Sequence, residues 1–399
     1  MQINLLYTLI VSLLVFFMGR TLVTHVGLLQ RFSVPAPVVG GVIVAVVLAL
    51  LDGVASYRIS FDMSLKDSLL LAFFTTVGLG ADARMLVKGG PKLAVFLAAS
   101  IAFIAVQNTI GVVMARALDL HPTVGLLAGS VTLIGGHGTG AAYGTRFGET
   151  MNLQGSMELA MACATAGLVL GSLLGGPIAA YLINRYQLHG SAPAVAEPAH
   201  AKSAEPEDLV GSQSFLTMLF ILFACLAGGR ELARLMQNTG LILPDFLFCL
   251  LLGVAVRNFA SLTGLFRMSD KTIELLGNVS LSLFLVMALI AMKLLDLVNL
   301  AGPLLLILGL QTVAMAAYAI FVTFRIMGRD YDAAVIAAGQ VGFAMSSTAA
   351  ALAIMKAVTD RSGPSPVAFL IVPMVGAFFI DIANAVVIQL YLALPWFGF

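Results

Sequence analysis

Charge is what this sequence has least of. Of 399 residues, 21 are Lys or Arg and 20 are Asp or Glu, together 10% of the chain, whereas soluble domains carry roughly 25%. The two signs nearly cancel, so no basic footprint exists for nucleic acid and none is expected as a partner. Cysteine is scarce as well. Cys163, Cys225 and Cys249 all lie inside apolar runs; an odd number cannot pair completely, and each reads as a small packing residue. The opening stretch "MQINLLYTLIVSLLVFFMGR" has no basic residue ahead of its apolar core and no small-residue cleavage site behind it, so it reads as a first span and not as a signal peptide. A catalytic constellation is missing too. The five histidines (25, 121, 137, 189 and 200) are scattered, four of them in loops or polar connections. With no Ser/His dyad, carboxylate pair or metal cluster in view, an enzyme is not expected.

Apolar sequence fills the space that charge leaves: 60% of the residues are hydrophobic. Runs without Asp, Glu, Lys or Arg cover 1–19, 32–51, 93–115, 120–145, 159–184, 209–229, 275–292, 297–324 and 333–355. A membrane span needs about 20 apolar residues, so most of these runs can cross a bilayer. The chain is expected to be a multi-pass, all-α membrane protein.

One stretch differs. Residues 187–212, "QLHGSAPAVAEPAHAKSAEPEDLVGS", are rich in Pro and acid with little to bury, the composition of a disordered linker. It separates two membrane repeats, 1–186 and 213–399. Each holds four apolar spans, a segment of small residues and a closing span. The small-residue segments are "VGLLAGSVTLIGGHGTGAAYG" (124–144) and "AVIAAGQVGFAMSSTAAALA" (334–353). Setting Gly129 against Gly339 puts Gly136 opposite Ser346 and His137 opposite Ser347, and Gln107 and Gln311 fall mid-span in corresponding helices. If each small-residue segment enters the membrane and returns on the same side, each half crosses five times, and an odd count inverts the second half. With the N-terminus outside, every basic residue except Arg58, Lys66, Arg116, Arg146, Arg230, Arg234 and Lys293 falls on the cytoplasmic side, as the positive-inside rule requires. The expectation is therefore ten spans in two inverted five-helix repeats, each with a re-entrant hairpin, a periplasmic N-terminus and a cytoplasmic linker.

Glycine is concentrated in "GGHGTGAAYG" (135–144). Gly136-x-Gly138-x-x-Ala141 matches a dinucleotide fingerprint, but that fingerprint needs a βαβ unit and no soluble α/β domain is present. Helix packing accounts for "PVVGGVIVA" (37–45) and "GSLLGGP" (171–177), where small residues let membrane helices approach. The 135–140 stretch is too rich in glycine to stay helical, at about 1 kcal/mol per interior Gly relative to Ala. A helix broken at membrane depth frees backbone groups that lipid cannot satisfy, so such breaks line cavities or bind solutes. Two breaks in matching places of inverted halves are the mark of a secondary transporter's binding site.

The chain also resembles the bacterial sodium/glutamate symporters along nearly its whole length. The resemblance lies in "FDMSLKDSLLLAFFTTVGL" (61–79), "GLLAGSVTLIGGHGTGAAYG" (125–144), "ELAMACATAGLVLGSLLGGPIA" (158–179), "LGNVSLSLFLVMAL" (276–289), "RDYDAAVIAAGQVGF" (329–343) and "VPMVGAFFIDIANAVVIQLYL" (372–392). It implies Na+-coupled uptake of L-glutamate across the bacterial inner membrane by alternating access, with Na+ as coupling ion and a homodimer in the lipid bilayer. One departure stands out. The family's second re-entrant segment is usually glycine-rich with a Thr-Pro-Thr stretch, and here it reads "GFAMSSTAAALAIM". Another small carboxylate, or H+ as coupling ion, would keep the same architecture. A channel would also tolerate re-entrant loops, but two unlike hairpins in one chain do not make a symmetric selectivity ring.

Glutamate brings two carboxylates and an ammonium, and Na+ asks for hard oxygen ligands. The substrate residues expected are Gly135, Gly136, His137, Gly138, Thr139 and Gly140 at the first tip, Ser346, Ser347 and Thr348 at the second, and Asn108. His137 could equally be a structural imidazole bonded to a neighbouring helix, and the second-tip hydroxyls could bond back to their own helix. Asp381 in "FFIDIANA" is an intramembrane carboxylate, costly unless functional; it is assigned to Na+ or the substrate ammonium, with Asn384 on the same helix face. Asn278, Ser280 and Gln311 complete the expected ion ligands. Gln107, Asn108 and Gln311 are mid-span amides that either line the cavity or hold helices together. Glu158 opens a span, where capping competes with binding. Lys293 and Asp296 read as a snorkelling pair near a helix end.

Overall fold

The computed structural model describes residues 2–31, 34–55, 59–189, 211–236, 245–264, 268–291 and 301–395. Most of the expected linker therefore lies outside the described residues, as do Lys293 and Asp296. Helix dominates. α1 Leu5–His25 and the short α2 Gly27–Arg31 lead to α3 Ala36–Ala55, α4 Lys66–Gly80 and α5 Arg84–Ala117. α6 Pro122–Leu126 passes into a π turn, Leu127–Val131, and then to α7 Gly136–Met151 and α8 Ser156–Tyr186. The second half holds α9 Ser212–Met236, α10 Asp245–Thr263, α11 Asp270–Ile290 and α12 Ala301–Tyr318, which continues through a π turn into α13 Phe324–Ile326. α14 Tyr331–Met345 and α15 Thr348–Ser362 follow, then α16 Pro366–Met374, which runs through a π turn, Val375–Phe379, into α17 Ile380–Leu392. Apart from helix, the described residues hold one two-residue parallel pairing, β1 Gln2–Ile3 with β2 Ser60–Phe61.

Local chemistry sets many of these boundaries. Pro122 and Pro366 sit in the first turns of α6 and α16, where a missing N–H costs nothing. Asp330 caps α14 by accepting the Ala333 N–H at 2.7 Å, and Ser269 caps α11 through Thr272. Within α5, Gly90 adopts φ 65° immediately before Pro91, a break that only glycine makes without strain. Pro373 removes a backbone donor just ahead of the π turn at Val375–Phe379, and the chain bends there by 45° between Pro366–Ala377 and Ile380–Leu392.

Among the described residues seven helices are long and apolar enough to cross a membrane, and eight if that bent pair is one span. Phe220, Leu305 and Val313 point outward at 72%, 70% and 65% exposure. Large apolar side chains in that position are expected of a surface facing lipid. The protein is thus a multi-pass membrane protein. α4, at 15 residues, is shorter than the usual span, and the apolar stretch of α3 covers only Ala36–Leu51, so ten crossings are a matter for the functional proposal.

The helices pack in two groups. α4 lies between α10 and α11, α3 between α1 and α11, and α9 against α10. The second group gathers α5 to α8 with α12 to α17; there α8 packs on α14 and α15, and α5 on α6, α12 and α17. α7 meets α11 across the seam, and Tyr143 of α7 stands edge-on to Phe246 of α10 at 5.4 Å. A polar clasp fastens the turn from α4 to α5 onto the first group. Arg257 donates to Asp270 at 2.6 Å and lies 3.6 Å from Asp82, while Asn258 donates to the Ala81 carbonyl and accepts from the Ala83 N–H. Burial alone would raise the Asp82 pKa, but the Arg84 N–H, the Ser261 hydroxyl and Arg257 together hold it below the usual carboxylate value.

Small residues do the close packing expected of them. A Cβ on Gly40 would lie 2.2 Å from the Val15 carbonyl oxygen, and one on Gly171 would lie 3.0 Å from the Met345 Cβ. The tightest approach is mutual: a Cβ on Gly111 of α5 would meet the Gly125 carbonyl oxygen at 2.0 Å, and one on Gly125 the Gly111 oxygen at 2.2 Å. Gly111→Ala must push two backbones apart, which costs about 1–3 kcal/mol. Gly176→Ala, with nothing within 4 Å, is its control. Thermal unfolding in detergent is expected to show a lower midpoint for the first variant and an unchanged or higher one for the second, where Ala replaces a helix-interior glycine without a clash.

Candidate functional site

Two interruptions of helix lie deep in the second group. The first is longer than the glycine pattern predicts. It begins at Gly129, whose ψ of −139° leaves the helical range, and ends at Gly136, where φ is +61°. The second is abrupt: between α14 and α15, Ser346 leaves helical geometry at φ −151° and ψ −86°, and Ser347 is extended. The interruptions meet, because a Cβ on Gly136 would lie 3.7 Å from the Ser346 carbonyl oxygen. The pairing of Gly136 with Ser346, reached above by aligning the halves, is a contact in the fold.

Each interruption starts a new helix. Gly136, His137 and Gly138 open α7, and Thr348 and Ala349 open α15, so these N–H groups have no acceptor within their own helices. Gly138 faces Phe73 of α4 and Leu281 of α11, with an added Cβ 2.6 Å from the Phe73 ring. The first tip therefore lies at the seam between the helix groups. Gly140 packs on Thr132 and Ala160, and Gly135 against Thr139.

His137 is buried, and its Nε2 lies 3.1 Å from the Thr165 hydroxyl of α8. That hydroxyl spends its hydrogen on the Met161 carbonyl at 2.8 Å. It must accept from His137, so Nε2 carries a proton, and in the neutral imidazole Nδ1 is then bare. Ser347 is committed as well, since its Oγ caps α15 by accepting the Ala350 N–H at 3.2 Å. Ser346 keeps a buried hydroxyl with no partner, and Thr348 is half-buried beside Gly376.

The unwound backbone at Gly129–Ser130 is held by two asparagines. Asn108 of α5 accepts the Ser130 N–H at 3.1 Å, and Asn384 of α17 donates to the Ser130 carbonyl at 3.0 Å. Two glutamines extend the set. Gln107 donates to the Ala344 carbonyl of α14 at 3.0 Å, and Gln311 of α12 donates to the Gln107 carbonyl at 2.8 Å. All four amides are fully buried. Sequence reasoning saw these amides but missed Ser130, a plain serine in an apolar run whose role depends on residues 254 positions away.

Other expected residues are dispersed. Asp381 is half-buried on α17, and no hydrogen bond or ion pair joins it among the described residues. Asn278 is exposed on α11, Ser280 is buried on the same helix, and no hydrogen bond among the described residues links either to Asn384 or Gln311. Glu158 is buried in the first turn of α8. It lines, with Lys66, Glu149 and Gln154, a cavity of about 300 Å³ that also takes in Gly144 and Gly148 of α7, away from the α7 tip.

Comparison with known proteins bears on this geometry directly. The family model described as sodium/glutamate symporter matches residues 1–364. The chain belongs to that family. It is 46% identical over 398 residues to the sodium/glutamate symporter of Escherichia coli K12, covering 100% of this chain and 99% of that protein. It is 44% identical over 390 residues to that of Haemophilus influenzae Rd, covering 97% and 96%. The symporter of Shigella flexneri is likewise 46% identical over 398 residues.

Gly136 offers a clean test of the first tip. Space is open around it, so a side chain there is penalised by the left-handed backbone alone, about 1–2 kcal/mol for an ordinary residue. Asn visits that region more readily. Gly136→Asn is expected to keep more thermal stability and transport than Gly136→Val; equal losses would mean that bulk and not backbone conformation decides.

Proposed function

We propose that the chain is a secondary active transporter that couples uptake of L-glutamate to Na+, a carrier and not an enzyme. The observation that carries this reading is the meeting of two helix N-termini at Gly136 and Ser346. A helix N-terminus attracts anions through its free N–H groups and its dipole. Two of them converging suit a substrate with two carboxylates, and the relatives of the family carry sodium and glutamate in their names. One carboxylate would take the N–H groups of Gly136 to Gly138 with Thr139 beside them, and the other those of Thr348 and Ala349, with Ser346 adding a hydroxyl. The bare Nδ1 of His137 can accept from the substrate ammonium.

In the same proposal the broken pairs α6/α7 and α14/α15 are re-entrant hairpins within two inverted five-helix repeats, 1–186 and 213–399. α1, α3, α4, α5 and α8 then correspond to α9, α10, α11, α12 and the bent α16/α17, giving ten crossings. What supports this is the repeated succession of elements and the contact between residues that the alignment paired. The protein would lie in the bacterial inner membrane as a homodimer, N-terminus periplasmic and linker cytoplasmic, with alternating access at the seam between the helix groups. Na+ would be held by Asn384 of α17 and Gln311 of α12, and Asp381, on the same face of α17 as Asn384, serves Na+ or the substrate ammonium. Asn278 and Ser280, on α11, would join such a site only if the groups shift relative to each other.

Uptake of labelled L-glutamate into proteoliposomes tests the reading. It is expected with an inward Na+ gradient and lost when choline replaces Na+, with Asp381→Asn reducing it at least about tenfold, the scale of one charged hydrogen bond. Uptake that persists in choline and follows a pH gradient would instead make H+ the coupling ion.

A further inference from the structure

The buried amides around Ser130 have a surplus of acceptors that the protein does not use. Gln107, Gln311 and Asn384 each donate their amide nitrogen to a backbone carbonyl, those of Ala344, Gln107 and Ser130. A carbonyl cannot donate, so these contacts admit only one orientation of each amide. Their side-chain oxygens, Gln107 Oε1, Gln311 Oε1 and Asn384 Oδ1, are consequently aimed elsewhere, and among the described residues all three are buried without a partner. The Ser130 hydroxyl is buried and unpartnered too. The single donor left over is Asn108 Nδ2, because Asn108 Oδ1 takes the Ser130 N–H. Gln107, Asn108, Ser130, Gln311 and Asn384 all have 0% exposure, and direct hydrogen bonds and the peptide link between Gln107 and Asn108 join them into one network. Buried acceptors are normally satisfied, and a cluster that is not calls for a ligand.

We propose that these oxygens form a binding site for one Na+, enclosed by α5, α12, α17 and the unwound Leu127–Val131 turn, and built of neutral donors alone. The proposal rests on the Na+-coupled reading above and supplies it with a ligand set. A surplus of acceptors suits a cation, and in a Na+-coupled carrier the coupling ion is the cation at hand. A hard monovalent ion suits amide and hydroxyl oxygens, whereas divalent ions are usually held by carboxylates, and among the described residues no group of three or more His, Cys, Asp or Glu side chains could hold a metal. None of the five side chains titrates near neutral pH, so the site cannot carry H+ in place of Na+. Full burial also separates it from the substrate ammonium, which cannot be brought in without the rest of the amino acid. The site is wired to the substrate tip. The Ser130 carbonyl accepts the N–H groups of Ile134 and Gly135 at 3.2 and 3.0 Å as well as Asn384. An ion that fixes Ser130 and Asn384 therefore fixes the backbone leading into Gly136, where the carboxylate would dock, and binding of either ligand favours the other.

Ser130→Ala separates this role from a structural one, since it removes only a hydroxyl with no partner among the described residues. The experiment measures thermal unfolding of the purified full-length protein in NaCl, KCl and choline chloride at equal ionic strength without glutamate, together with binding of radiolabelled Na+. Na+ alone is expected to raise the midpoint of the wild type. In choline, Ser130→Ala is expected to be as stable as the wild type or more so, because an unsatisfied buried group is gone. Its Na+ affinity is expected to fall about tenfold or more, the loss of one charged ligand contact, and Gln311→Met to do the same. Should Gln311→Met not fold, Ser130→Ala decides. Unchanged Na+ affinity in Ser130→Ala overturns the site, as does a shift that K+ produces equally or that needs glutamate present. The transport reading is judged separately, by wild-type uptake in proteoliposomes. Na+-dependent uptake with unaltered Na+ binding in the variants sinks the site alone, and Na+-independent uptake with Na+ binding lost in the variants sinks the coupling alone.

Discussion

A peptide group inside a membrane must find its hydrogen-bond partners within the protein, and the interior of this molecule is arranged around that demand at one residue. Ser130 lies where the chain leaves helical geometry. Its N–H would be stranded without Asn108, at about 1–3 kcal/mol, and its carbonyl gathers Ile134, Gly135 and Asn384. Because the asparagines come from α5 and α17, satisfying one peptide fixes the mutual position of three elements far apart in sequence. Gln107 and Gln311 continue the same logic toward Ala344, so both helix interruptions hang from one set of buried amides.

The interruptions can then be permanent features of a stable fold. A gap of this kind in a lipid-facing helix would close by rewinding. Here, rewinding would break the bonds to Ser130, and the close backbone approach of Gly111 and Gly125 leaves α6 little room to move relative to α5. What results is a rigid cradle. Its helix N-termini present N–H groups, and the amides that brace it are neutral. Polarity without charge lets such a site sit at membrane depth without the large desolvation penalty of an ion pair.

Sequence reasoning reached the membrane class, the two interruptions and their partnership because each leaves a local mark: an uncharged run, a density of glycine, a matching distance along the chain. The meeting of Gly136 with Ser346 shows that spacing alone can place residues 210 positions apart in register. Other features leave no such mark. Ser130 is indistinguishable in sequence from any small residue in a span, and the start of the first break at Gly129 precedes the glycine-rich stretch that advertises it. The π turns depend on helix neighbours. Asn278 and Ser280 are two residues apart on α11, which at 3.6 residues per turn points them in different directions; the outward face of Asn278 follows from how α11 packs, and no local pattern records it. The amides at 107, 108 and 311 were conspicuous, and in the fold they hold helices together, Gln107 and Gln311 through their nitrogens and Asn108 through its oxygen.

Dependence of the first break on Asn384 also has a bearing on how the molecule is made. α5 and the π turn at Leu127–Val131 leave the ribosome long before α17, the last helix described. Until that helix is inserted, the Ser130 carbonyl lacks one of its three donors. The first half can therefore enter the bilayer in order but cannot complete its own interior, and α17, whose Asn384 follows Ser130 by 254 residues, is the helix that closes it. Quality control that senses unfilled hydrogen bonds within the membrane would see every nascent chain as unfinished until α17 arrives.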